Sequence, residues 1–354
     1  MPGIYIGSTS GYSGKNMVVM GLGLELQKQG FTIGYMKPVG AVPVTTGRCL
    51  ADEDAIFVQE VLGLSEDPCL VTPVVVTSEF MAQAFRGECS DLMPQIRSAY
   101  DKLAQGKDVV LVAGSGSMNS GRYCHLDGVS VVKSLGIKCV IIDRFAKELK
   151  YDYLLVQKEA LGDSLVGVVL NDIPASAMDE VQNLIVPFLE RTGIKVLGII
   201  PKDPLMGAIK VGSLASRLGG KVISATGKTD RVVENFLIGT MQVENFLTHF
   251  RRNKNAAVIV GGDRSDVQLV ALEGGCPCLV LTGNLYPNDI IITRSEVLEI
   301  PIIIVREDTF TVAKKMEAIL ERHKLRDMIK IRQGASLVAH NVDIQHIKQA
   351  IGLK

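Results

Sequence analysis

A chain of 354 residues, with 38 basic and 38 acidic side chains cancelling to no formal charge, lacks the basic footprint that nucleic-acid binding requires. Aromatic residues are 5% of the total and Trp is absent, which also excludes a base-stacking platform. At about twice the common domain size, the length predicts two domains, each able to bury its own core.

Residues 1–7 show no basic stretch ahead of an apolar one, and no apolar run approaches the ~18 residues that cross a bilayer. The seven cysteines are odd in number and scattered, with no CxxC and no His/Cys cluster at metal-ligand spacing. A soluble, cytoplasmic protein with no membrane partner is the expectation. Cys276 and Cys278, flanking Pro277 ahead of an apolar run, read as packing cysteines.

Short apolar runs at 3–6, 32–35, 109–112, 138–142, 166–170 and 195–200 alternate with amphipathic segments. They read as buried parallel strands between helices, an α/β fold, which the glycine-rich loop of residues 7–16 after the first run makes P-loop NTPase-like. The first helix spans 16–29, closed by Gly30. Pro201, Pro204 and Gly207 then punctuate the chain, predicting a domain of residues 1–206. A second series of runs at 221–224, 257–260, 278–281 and 301–305 predicts a smaller α/β domain of residues 207–354, ending in a helical tail.

The first run leads directly into Gly7-Ser8-Thr9-Ser10-Gly11-Tyr12-Ser13-Gly14-Lys15-Asn16 and then a helix. That is the strand, loop, helix order of a phosphate-binding loop. Small residues turn backbone N–H groups toward phosphate oxygens, the helix N-terminus adds partial positive charge, and Lys15 reaches the terminal phosphates. Thr9 stands where the consensus has its first Gly, and Asn16 where a hydroxyl normally holds magnesium.

The order Ser13-Gly14-Lys15, Met36-Lys37-Pro38-Val39-Gly40, Asp52-Glu53-Asp54-Ala55 and a strand ending in Gly114-Ser115-Gly116 resembles the dethiobiotin synthetase and cobyrinic acid a,c-diamide synthase superfamily. The resemblance implies that Lys15, Lys37 and Asp54 gather round ATP phosphates and magnesium, with Ser8, Thr9, Ser13, Gly14, Asn16 and Gly114 lining the loop. It also implies that Asn171 reads adenine and that Pro201 lies in the base-flanking segment. Local readings compete: Lys37 as a solvated turn residue, Asp52 or Asp54 as helix N-terminal acids, Asn171-Asp172 as a strand-ending turn. The metal-binding glutamate of the active synthetases is replaced by Ala113.

In the second half, Gly261-Gly262-Asp263-Arg264-Ser265-Asp266, Thr282-Gly283 and Arg306-Glu307-Asp308-Thr309 resemble the DRTGG domain found in long phosphate acetyltransferases. Strand ends at Gly262, Asp263, Arg264, Thr282 and Gly283 offer backbone donors and a guanidinium to an anion. The local alternative is a Gly-rich turn with Arg264 paired to an acid. Gly227-Lys228-Thr229 imitates a phosphate-loop ending, but Val222 stands where the first glycine is required, so it reads as a turn.

Long phosphate acetyltransferases carry a further catalytic domain, so acetyl transfer is not expected from a chain that stops at Lys354. The expectation is a nucleotide-binding regulatory or sensor protein, homodimeric like the resembling synthetases. It would take ATP or a related nucleotide, with any magnesium on Asn16 and Asp54, and its second domain would receive a small anionic metabolite or a protein partner. An ATP-dependent carboxylate-activating ligase is the rival reading, and no catalytic residue is assigned.

Overall fold

The computed structural model describes residues 2–47, 49–146, 151–253, 255–321 and 327–354. The chain forms two compact units, Met1–Lys202 with Leu325–Lys354, and Asp203–Lys324.

The first unit is built on six parallel strands: β1 (Gly3–Ser8), β2 (Ile33–Met36), β3 (Val109–Ala113), β4 (Lys138–Arg144), β5 (Leu165–Ile173) and β6 (Val196–Pro201). Their order is β6-β5-β4-β1-β3-β2, with β1 between β3 and β4. Every residue of β1, β2 and β3 is buried. Burial on both faces explains why these strands read as continuous apolar runs, and all six expected strands are present. Because every neighbouring pair is parallel, Ser8, Met36, Ala113, Arg144, Ile173 and Pro201 end at one edge. At the β1 position successive connections leave in opposite directions, opening the crevice where open sheets take ligands.

Helix α1 (Lys15–Lys28) covers the sheet, and helix Met328–Asn341 packs on α1. The contact is close: a Cβ at Gly21 would lie 2.7 Å from the Cβ of Val338. The C-terminal helices thus join the first unit, whereas the sequence placed them as a tail of the second domain. Buried Ile331 and Val338 give the helix an apolar stripe, and such a stripe does not specify which sheet it will cover.

The main sheet of the second unit has five strands: β7 (Lys221–Ser224), β8 (Asn235–Ile238), β9 (Ala256–Gly261), β10 (Leu279–Thr282) and β11 (Ile302–Ile304), ordered β7-β11-β10-β9-β8. Strand β7 runs antiparallel to β11, and the other pairs are parallel. Two details differ from the sequence reading. Half-buried edge strand β8 lacks the long apolar run that marks the central strands, and hydrophobic pattern carries no information on the direction of β7. Residues Thr226–Lys228 form a single 3-10 turn, with Lys228 paired to Glu299 at 2.8 Å, as expected for a false loop.

Cys276 and Cys278 are buried packing residues, and burial pushes the Cys276 thiol up to about 12. Scatter along the sequence misled elsewhere, because Cys49 and Cys69 form a disulfide. Among the described residues, no helix is long and apolar enough to cross a membrane.

Candidate functional site

The loop between β1 and α1 lies at the common strand edge. Gly14 takes φ 97°, and a Cβ there would fall 2.3 Å from Asn171 Nδ2, so the turn and the neighbour both demand glycine. Asn171 Nδ2 donates to the Ser13 carbonyl at 2.8 Å, tying the end of β5 to the loop. Inside the loop, Ser13 Oγ donates to Ser10 O at 2.9 Å. Ser8 Oγ donates to Ser10 O at 2.6 Å.

Lys15 sits at the head of α1 and donates to Ser8 Oγ at 2.7 Å and to the Gly116 carbonyl at 2.6 Å. Both acceptors are neutral, and among the described residues no carboxylate stands at ion-pair distance from its ammonium. Burial, then the charge of Lys37, brings the Lys15 pKa down from 10.5 to about 8. Gly114 itself ends in a backbone bond to Ile6 O at 2.9 Å, so the glycine that touches the loop lysine is Gly116.

Lys37 follows β2 and is buried. Its ammonium lies 2.7 Å from Asp52 Oδ1 and 3.8 Å from Asp54 Oδ2. Asp52 is fully buried and caps helix Glu53–Leu62 through Ala55 N at 3.0 Å. Its other oxygen accepts from Ala41 N at 2.8 Å and Val42 N at 2.9 Å. Burial by itself would raise the Asp52 carboxyl, but the charge and hydrogen bond of Lys37, with the two amides, outweigh it and hold the pKa below the ordinary value. The helix N-terminal reading of Asp52 is the one observed, and Asp52 is also the main partner of Lys37, a contact outside both sequence readings. Gly40 is required beside it, since a Cβ would meet Asp52 Cβ and Thr72 Cγ2 at 2.8 Å each.

One residue of this edge escaped the sequence. Thr9, at the consensus glycine position, donates from Oγ1 to Asp143 Oδ1 at 2.6 Å. Burial raises the Asp143 carboxyl, and the bond from Thr9 opposes that rise. The available signal was an acid following the apolar run of β4, the strand next to β1.

A family model described as an AAA domain matches residues 2–210, more than half of the chain. The chain belongs to that AAA domain family. A second model, the DRTGG domain, matches residues 213–319. The phosphate acetyltransferase of Synechocystis sp. is 24% identical over 96% of this chain and 50% of its own length. That of Pseudomonas aeruginosa is 22% identical over 98% and 52%. The ATP-dependent dethiobiotin synthetase of Clostridium novyi is 28% identical over 56% of this chain and 74% of its own length. The chain spans about half the length of the phosphate acetyltransferases it matches.

The donor set of the AAA domain does not fit the magnesium site of the resembling synthetases. Ala113 is buried at the end of β3 and its side chain offers no ligand atom, and Asn16 supplies an amide in place of a hydroxyl. Both oxygens of Asp52 are already engaged by Lys37 and three amides. Asp54, the remaining carboxylate beside Lys37, also makes further contacts.

In the DRTGG domain, Gly261 at the end of β9 lies in register with Thr282 at the end of β10, so Gly262, Asp263, Arg264, Thr282 and Gly283 share one edge. Arg264 makes a two-pronged pair with Asp266, Nε to Oδ1 and Nη2 to Oδ2 both at 3.0 Å, and also donates to Met241 O. Thr282 Oγ1 shares a hydrogen with Thr309 Oγ1 at 2.8 Å, and Gly283 N donates to Glu307 O at 2.9 Å. The paired-acid reading of Arg264 is the contact observed.

Proposed function

We propose that the AAA domain binds ATP or a related nucleotide without depending on magnesium, and that the chain is a regulatory or sensor protein, acting as a homodimer. The observation that carries this reading is Lys15, a protonated amine held on neutral oxygens at a helix N-terminus, with Lys37 close enough to depress its pKa. An ammonium at an anion-seeking helix N-terminus, with no described carboxylate at ion-pair distance, suits a polyphosphate. Ser8, Thr9, Ser13, Gly14 and Asn16 would surround the phosphates, Lys37, Asp54 and Gly114 would face them, and Asn171 and Pro201 would flank the base. Phosphoryl transfer leans on metal to neutralise developing charge, so the poor metal donor set favours sensing over ligation.

Calorimetric titration with ATP, with magnesium and then with EDTA, tests the reading. Chelation should change the Kd by less than about tenfold, a difference of 1.4 kcal/mol. No binding at millimolar ATP in either condition ends the nucleotide reading, and a hundredfold loss with EDTA restores the ligase.

For the DRTGG domain we propose that the edge at Gly262, Asp263, Arg264, Thr282 and Gly283 receives a small anionic metabolite or a partner. Because the Arg264–Asp266 pair is solvent-facing, Arg264→Ala should melt with the parent while losing any thermal shift caused by acetyl phosphate. A lowered melting temperature with an unchanged response would assign Arg264 a structural role only.

A further inference from the structure

Two elements hold Lys37, and a covalent bond joins them. Strand Cys49–Asp52 ends in the carboxylate that clamps the Lys37 ammonium, and helix Pro68–Val71 ends in the carbonyl that accepts the Lys37 backbone N–H at 2.8 Å. Cys49 opens the strand and Cys69 lies in the helix. Their sulfurs are bonded, with Cα atoms 6.0 Å apart across 20 residues of sequence. Among the described residues, the sheet partner of strand Cys49–Asp52 is the arm Pro43–Thr46, in which Pro43 and Thr45 are exposed. Thr46 Oγ1 donates to Cys49 O at 3.1 Å, fixing the bonded cysteine in that hairpin.

We infer that Cys49 and Cys69 form a redox modification site that sets how firmly Lys37 is held for nucleotide, an inference that rests on the nucleotide-binding reading. Both cysteines are half-buried, so a small disulfide such as glutathione disulfide can reach them. One protein thiolate attacks a glutathione sulfur, forming a mixed disulfide and expelling one glutathione thiolate, which takes up a proton. The second protein thiolate then attacks the protein sulfur of that mixed disulfide and expels the other glutathione. Two electrons pass from the protein thiols to glutathione disulfide, leaving the Cys49–Cys69 bond and two glutathione thiols. Closed, the bond fastens the Asp52 strand to the Val71 helix, so Lys37 is held in place before ligand arrives. Open, the strand can swing with its hairpin, and only a fraction of molecules present Lys37 correctly, which weakens apparent affinity by that fraction.

The full chain, reduced with dithiothreitol or oxidised with glutathione disulfide, is titrated with ATP and followed by amide hydrogen exchange at Ala41, Val42 and Ala55, the donors to Asp52. Mass spectrometry after maleimide labelling counts the thiols. Oxidation should remove two reactive thiols, slow exchange at the three amides and tighten the ATP Kd about tenfold, as for a competent fraction of about one in ten in the reduced chain. The double variant Cys49→Ser, Cys69→Ser should match the reduced protein and ignore oxidant. Full labelling of both cysteines after oxidation, equal exchange in the two states, or equal ATP affinities each overturns the inference. If ATP binds neither form, the nucleotide reading fails and takes the ligand half of this inference with it, while the exchange result still decides whether the bond fastens the Asp52 clamp.

Discussion

Replacing Asp52 with alanine is expected to destabilise the first unit by about 3–5 kcal/mol, the cost of leaving a buried charge without its partner. Lys37 is 5% exposed and cannot turn its ammonium to water, and its closest counter-charge is Asp52 at 2.7 Å. The same substitution strips the acceptor from the Ala41, Val42 and Ala55 amides and removes the cap of helix Glu53–Leu62. Asp54, at 3.8 Å, offsets only part of this. Denaturant unfolding of Asp52→Ala, Lys37→Met and the double variant separates the terms. The double variant should lose less than the sum of the singles, because Lys37→Met removes the charge that Asp52→Ala strands. Additive losses would show that capping alone explains the effect. The sign with pH follows from the depressed carboxyl: the stability that Asp52 contributes is complete above the ordinary aspartate range and is lost as pH falls through its lowered native value.

How much of this was legible in the sequence depends on the kind of signal. Six apolar runs gave six strands, because strands covered on both faces must be continuously apolar. Lys15 and Lys37 were legible because each is bound to a local pattern, a glycine before a helix and a Pro-Val-Gly after a strand. Gly40 shows why the latter pattern has its glycine: Asp52 and Thr72 occupy the space of a side chain. Contacts made across the fold were not legible. Asp143 meets Thr9 from 134 residues away, and nothing local to either residue announces the other. Cys49 and Cys69 are separated by helix Glu53–Leu62, so their pairing depends on how that helix returns the chain. The C-terminal helices show the same limit at larger scale, since an amphipathic stripe states that a helix will be covered and not by which sheet.

Lys15→Met should make the ligand-free protein more stable and deaf to ATP. Lowering a lysine pKa from 10.5 to about 8 through burial and a neighbouring cation costs the protonated native state roughly 3 kcal/mol. Methionine fills similar space without the charge. Against this gain stand two hydrogen bonds, to Ser8 Oγ and to the carbonyl of exposed Gly116, of which the second acceptor returns to water. A net increase of about 1–3 kcal/mol near pH 7 remains. The pH dependence fixes the cause. Below about pH 8 Lys15 is protonated in both states and the cost is complete. Between pH 8 and 10.5 the unfolded chain holds more protons than the native one, so the parent gains stability as pH rises, and Lys15→Met should lack that rise. ATP reverses the balance, because its phosphates favour the charged amine: at pH 8, binding should draw about half a proton from buffer, visible as a dependence of calorimetric heat on the buffer's ionisation enthalpy. At about 100 times its Kd, ATP should stabilise the parent by about 2.7 kcal/mol and leave Lys15→Met unmoved. A variant less stable than the parent at pH 7, yet still stabilised by ATP, would place Lys15 in the packing of the loop and outside the phosphate site.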